Sequence, residues 1–370
     1  MHRIPDDRAD TGLDEPNTSA ATAALLAISE EDHYTSGVPY MLKNVFKGIL
    51  IGFTLIGLGA LLPACGEKSE KIRIGYSDWP GWVAWEIAIE KGMFKEKGVD
   101  VEFVWFDNYV ESLQAMDAGK LDGNCQTWND TIFSLATTGA PMKAVLINDN
   151  SAGNDGVVAN GITSLKDLKG KTVAAEEGTV SHFVLLTALK KAGLSQDDVE
   201  FKNMFVPDAS NAVTLGNVSA AALWQPSLFN AMQEKGMNLL FTSKEMPGLI
   251  PDMLVFHEKV TSERKEDIQK IVEVWFEVME FIENNPDEAY AIMAKKVNQT
   301  PENYKTFVNG TRFFTLEDNL NAYTKGSDDS SLYGSGATIA KFYTEVPALN
   351  ITEAPAFEAA IDDSFVKAIE

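Results

Sequence analysis

Cysteine, histidine and arginine are all scarce in this sequence. Of 370 residues only 2 are cysteines and 4 are histidines. Cys65 and Cys125 cannot build a disulfide framework or a thiolate zinc site. His182 and His257 stand far apart in sequence and make no metal or catalytic cluster, so neither a metal nor a cofactor is expected. Positive charge is also in deficit: 31 Lys+Arg stand against 54 Asp+Glu, for a formal net charge of -23. That excludes a protein that tracks nucleic-acid phosphates, which needs a basic face to displace counterions. No GxxxxGK[ST] phosphate loop occurs, so nucleotide hydrolysis would belong to another chain. Nor is there an apolar run of the ~20 residues that a membrane-spanning helix requires.

The longest apolar run, GILIGFTLIGLGALL, follows a short basic stretch, Met41 to Lys47, and precedes Leu62-Pro63-Ala64-Cys65-Gly66. Basic, then apolar, then small residues around a cysteine is the order of a secretory signal, and its end resembles a bacterial lipobox. Residues 41–64 are therefore expected to be a lipoprotein signal peptide, with Cys65 the lipidated residue and 65–71 (CGEKSEK) a polar tether to the membrane. Residues 1–40 are acidic and polar and precede a complete signal. They are expected to be a start-site artefact, with translation beginning at Met41, or else a disordered segment.

From residue 72 short apolar runs alternate with helical patterns. IRIGY precedes WEIAIEKGMFKEKG, VDVEFVWF precedes VESLQAMDAGK, and the pattern restarts after Asp155 with GITSLKDLKGKTVAAEEGT. Such alternation predicts an α/β protein with parallel-rich sheets. Beyond Met253 the chain turns mostly helical, as in RKEDIQKIVEVWFEVMEFIENN. The expected organisation is a first lobe of residues 72–157 and 251–370 and a second lobe of 158–250. Two crossings, near 156–160 and 248–253, would make a hinge.

IGYSDWPGW, AIEKGMFKEKGVDVEFVWFDN, AGKLDG and SLKDLKGKTVAAEEGT together resemble the solute-binding proteins of the nitrate, sulfonate and taurine class of ABC importers, over nearly all of residues 70–370. The resemblance implies a periplasmic-binding-protein fold of the type II kind, two α/β lobes with a hinge and a helical C-terminal return. It implies a monomer that closes on a small-molecule solute and docks on a membrane permease whose ATPase is a separate chain. It also implies an exported protein, lipid-anchored and facing the periplasm or cell exterior. It leaves the ligand open, because the family includes binders of nitrate, bicarbonate, sulfonates and thiamine precursors.

The ligand class must come from the strand ends, where α/β sheets bind ligands. The loops 76–85, 106–109, 126–131, 148–156, 176–182, 207–211, 224–227 and 247–252 hold no lysine or arginine. They carry Asp78, Asp107, Asp130, Asp149, Asp155, Glu176, Glu177, Asp208 and Asp252, with Trp79, Trp82, Trp85, Trp128 and Trp224. A buried anion needs a positive partner, whereas carboxylates with aromatic faces suit a cation. A planar guanidinium, with N–H groups in its plane and open faces, fits best. The candidate ligand-binding residues are Ser77, Asp78, Trp79, Trp82, Asp107, Trp128, Asp130, Asp155, Glu177, Thr179, Ser181, Asp208, Trp224 and Asp252. Trp85 and Trp275 are read as core, and Asp208 and Asp130 could equally cap helices.

Other readings stay open at this point. The helix start GTVSH favours an anion or a zwitterion such as taurine or betaine, and a thiamine pyrimidine precursor is a further ligand. A pyrimidine-synthase-like enzyme is disfavoured by the missing cysteine cluster, so no enzymatic activity is expected. A sensory receptor is not separable from a transport receptor by these residues.

Overall fold

The computed structural model describes residues 71–369. The expected signal at 41–64, the lipidation of Cys65, nearly all of the tether and the segment 1–40 lie outside the described residues.

The strands in chain order are β1 (Ile72–Tyr76), β2 (Val101–Trp105), β3 (Gly123–Thr127), β4 (Met142–Ser151), β5 (Asp155–Asn160), β6 (Thr172–Ala175), β7 (Glu200–Asn203), β8 (Ala220–Trp224), β9 (Met237–Thr242), β10 (Pro251–His257) and β11 (Thr311–Phe313). They form two sheets of order β11-β4-β10-β3-β1-β2 and β7-β6-β8-β5-β9. Each sheet is the centre of one lobe. The first crossing falls at residues 152–154, ahead of the expected 156–160, because β5 pairs with β8 and β9 and so belongs wholly to the second sheet. Asp155 thus opens the second lobe instead of closing the first.

The sheets are mixed, not parallel-rich. β1 pairs in parallel with β2 and β3, and β6 with β7 and β8. The strands that follow the crossings, β5 and β10, run antiparallel to both neighbours. A strand arriving from the other lobe enters from the hinge end and must run against the strands that end there. One consequence governs the site: the cleft receives the C-terminal ends of β1, β3, β6 and β8 but the N-terminal ends of β5 and β10.

The hinge strands are tied side to side. Ser243 Oγ lies 2.8 Å from Ser151 Oγ and accepts the Gly153 N–H at 2.7 Å. Ser151 N donates to Ile250 O at 3.1 Å. Gly153 sits at φ 129, a backbone region effectively reserved for glycine. The helical return is also present. The helix Lys265–Asn284 buries Ile268, Ile271, Val272, Trp275 and Val278, and Trp275 packs on Trp85 with ring centroids 4.8 Å apart. Both tryptophans are core, as their helical spacing predicts. A later helix, Leu332–Glu345, reaches the second lobe, where Phe342 meets Phe183 at 4.7 Å and Glu345 pairs with Lys190 at 2.9 Å.

Candidate functional site

The strand ends of both lobes converge on a small cavity of about 10 Å³. Its lining is Trp79 and Trp82 after β1, Tyr109, Thr127 at the end of β3, Asp155 at the start of β5, Val180, Trp224 at the end of β8, and Ile250 and Asp252 at the start of β10. Among the described residues, no lysine or arginine lines it. The cavity has room for about one water molecule, so the walls must part to admit even a solute of a few heavy atoms.

Four aromatic rings run across the site. Trp79 and Trp82 are 6.3 Å apart between centroids, Trp82 and Tyr109 5.1 Å, and Tyr109 and Trp224 5.7 Å in an edge-on contact. The last contact bridges the lobes. Two indole N–H groups also fix carboxylates: Trp79 Nε1 donates to Asp149 Oδ1 at 3.0 Å, and Trp224 Nε1 to Asp78 Oδ1 at 3.3 Å across the cleft. The backbone at Gly81 approaches Asp149 so closely that a Cβ there would overlap the carboxylate. Gly81→Ala is expected to displace Asp149 and cost about 1–3 kcal/mol of stability, measured by chemical denaturation; a variant as stable as the parent contradicts that close approach.

Six carboxyl groups gather around this lining: Asp78, Asp130, Asp149, Asp155, Glu176 and Asp252. Asp78 is half-buried and the other five are buried. Burial is the first cause of a raised pKa in every one, to about 6 for Asp78, about 7 for Asp130 and Asp155 and about 8 for Glu176. The charges acting on them are those of other carboxyls: Asp107 on Asp78, Asp130 on Asp155, and Asp130, Asp78 and Glu111 on Glu176. Asp149 and Asp252 are cross-strand partners in the β4–β10 ladder. Burial and mutual proximity raise the pair together above the ordinary carboxylate range, and they share a hydrogen bond when one carries the proton.

Buried polar atoms in folded proteins nearly always have partners. Here Ser77 Oγ, Trp82 Nε1, Asp130 Oδ1, Asp149 Oδ2, Asp155 Oδ2, Glu176 Oε2 and both Asp252 carboxylate oxygens have none among the described residues, unless the Asp149–Asp252 pair shares a proton. Their clustering at one cavity marks a place built for a bound group.

Of the residues singled out by sequence, Trp79, Trp82, Asp155, Trp224 and Asp252 line the cavity, and Ser77 and Asp78 adjoin it. Asp130 stands behind the lining, where its carboxylate accepts the Tyr109 hydroxyl at 2.7 Å and the Thr127 hydroxyl at 2.8 Å. Thr179 and Ser181 are at the expected helix start but bond locally: Thr179 Oγ1 donates to Glu176 O at 2.9 Å, and Ser181 Oγ accepts from Glu176 N at 3.0 Å.

Four residues are not part of the site. Trp128 points from the first turn of its helix into the core, donating to Leu332 O at 3.2 Å and packing edge-on against Phe357. Asp107 is exposed and accepts from Trp105 Nε1 at 2.8 Å, reaching Asp78 only through its charge. Glu177 is exposed, its N–H bonded to Asn203 Oδ1 at 3.0 Å. Asp208 is exposed in the first turn of a helix that begins at Val206 with Phe205 at the N-cap, three residues ahead of the start that an Asp208 cap would set, so it is not the N-cap either. His182 is buried behind the site, stacked on Phe201 and 2.7 Å from Gln196 Oε1. Tyr109, Thr127, Val180 and Ile250 carried no signal that sequence reasoning used.

Two α/β lobes joined by two tied crossings and meeting at a small enclosed site define a periplasmic-binding-protein fold. The chain belongs to the NMT1/THI5-like family, whose profile matches residues 80–289. A protein of Brucella abortus (strain 2308) named as a binding protein is 30% identical over 305 residues, 80% of this chain and 91% of its own. The structure of the periplasmic aliphatic sulphonate binding protein SsuA from Escherichia coli matches with a TM-score of 0.64 at 21% identity, over 80% of this chain and 92% of that one. The alkanesulfonate-binding protein SsuA from Xanthomonas axonopodis pv. citri, bound to MOPS, gives 0.66 at 17% identity, over 80% and 98%. The chain is a solute-binding protein of the kind that serves ABC importers.

Proposed function

We propose that this chain is the lipid-anchored receptor of an ABC importer and that it captures a small planar cation, guanidinium first among candidates, between its lobes. One observation carries the ligand class: buried carboxyls surround a small aromatic cavity in which, among the described residues, no basic side chain answers them. A guanidinium ion has N–H groups fanned in one plane, suited to the unpartnered oxygens of Asp155 and Asp252. Its faces suit the rings of Trp79, Trp82, Tyr109 and Trp224, where each cation–π contact contributes roughly 0.5–2 kcal/mol. A quaternary ammonium would meet the rings but offer the carboxylates no hydrogen. The sulfonates named for the relatives would bring a further anion against Asp155 and Asp252, an arrangement that needs a positive partner. The basic, apolar and cysteine order of residues 41–65 supports lipid anchoring on the outer side of the membrane.

Thermal shift separates the candidates. At 100 times its Kd a ligand that binds only the folded state stabilises by about 2.7 kcal/mol, a rise of several degrees. Guanidinium is expected to give that rise, and taurine, nitrate, glycine betaine and a methylpyrimidine are not. A shift with nitrate or taurine and none with guanidinium would falsify the cation reading.

A further inference from the structure

The helix Val180–Lys191 starts at the cleft, with Val180 itself in the cavity lining. The first N–H groups of a helix have no partners within it and favour an anion. Of the first N–H groups, the N-cap hydroxyl of Thr179 accepts that of Ser181, at 3.3 Å. The carboxylate drawn toward the Val180 N–H comes from the other lobe: it is that of Asp130, in the first turn of the helix Trp128–Thr138, which packs against this helix and whose N-cap, Thr127, shares the cavity lining with Val180. Asp130 is only 2% exposed. Its Oδ2 is held by Tyr109 and Thr127, while Oδ1 forms no complete hydrogen bond, so the approach to Val180 is electrostatic and not a closed bond.

We infer that Asp130 is a specificity-determining residue, filling the anion seat of a second-lobe helix with a carboxylate of the first lobe and so excluding anionic solutes from the cleft. The inference rests on the cation reading only for the ligand left to bind. A second carboxyl, Glu176, lies beside the same helix start, where its N–H donates to the Ser181 hydroxyl at 3.0 Å, and the two carboxyls oppose each other's ionisation. When the lobes close, a ligand anion aimed at Val180 meets a negative group already in place. A cation meets no such obstacle, and the closed form keeps the helix end neutralised by the protein itself.

The test compares the full mature receptor with Asp130→Asn, Asp130→Ser and Asp155→Asn. Asn keeps the shape at position 130, and Ser keeps a hydroxyl for Tyr109 in case Asn disturbs the Thr127 cap. Asp155→Asn removes an equal charge from the cavity wall while leaving the seat filled. Each protein is titrated calorimetrically with methanesulfonate, nitrate and guanidinium. The expected result is that the Asp130 variants bind methanesulfonate or nitrate at least roughly tenfold more tightly than both the parent and Asp155→Asn, a difference of about 1.4 kcal/mol. Equal anion affinities in the folded Asp130 variants and Asp155→Asn overturn the inference, since charge removal anywhere would then suffice. Failure of the parent to bind guanidinium counts against the cation reading alone, and the anion titrations still decide the role of Asp130.

Discussion

Replacing Asp252 by Asn is expected to weaken guanidinium binding by about 100-fold while raising the melting temperature of the ligand-free protein at pH 8. The two effects have one origin. Both Asp252 oxygens are buried without an obligate partner, opposite Asp149 across the β4–β10 ladder and near Asp155. In the ligand-free protein at pH 8 these groups are either ionised against one another or held protonated against the solvent, and both states are costly. An Asn side chain keeps the shape, removes one charge and can donate an N–H to Asp149. A bound cation reverses the balance, because it needs the charge that Asn lacks. Truncating one partner of a buried, hydrogen-bonded charge pair costs roughly 2–5 kcal/mol, which brackets the expected loss. Calorimetric titration reads the affinity and scanning calorimetry reads the melting temperature. A variant that keeps guanidinium affinity removes Asp252 from the site, and one that melts lower than the parent contradicts the electrostatic strain.

The sequence made the lobes, the helical return and the sign of the site's charge legible, because each rests on local information. Strand and helix periodicity locates the elements, and the absence of lysine and arginine from eight strand-end loops is visible before any contact is known. What depends on direction or register was not legible. Trp128 and Trp82 both open helical segments beside the cleft, but the rotation of each helix sends one ring into the core and the other into the cavity. Asp149 and Asp252 become neighbours through the pairing of strands far apart in sequence. The mixed sheet topology likewise follows from where the chain enters each sheet, which alternating patterns do not encode. Tyr109 carries no local signal, because the two bonds of its hydroxyl, to Asp130 and from the Thr127 N–H at 3.0 Å, exist only in three dimensions.

Between pH 5 and 8 the ligand-free receptor is expected to lose stability steadily, and guanidinium binding is expected to release protons. The folded-state pKa values of about 6 for Asp78, about 7 for Asp130 and Asp155 and about 8 for Glu176 all lie above the ordinary values of 3.8 and 4.5. The native protein therefore holds protons that the unfolded chain has already released. Stability falls as pH rises wherever the native state binds more protons, so the fall begins above about pH 4 and continues through the folded values to beyond about pH 8. A bound cation favours the ionised carboxyls, lowers these pKa values and expels their protons. Affinity for guanidinium should then rise with pH over the same interval, and saturating ligand should flatten the decline in melting temperature. Titration at pH 6.5 in buffers of different ionisation enthalpy counts the protons directly, and a heat independent of buffer would contradict the coupling. The sign of that count also separates the ligand classes. A cation drives protons off the carboxyls, whereas an anion can enter only by keeping them protonated and must therefore draw protons from solution.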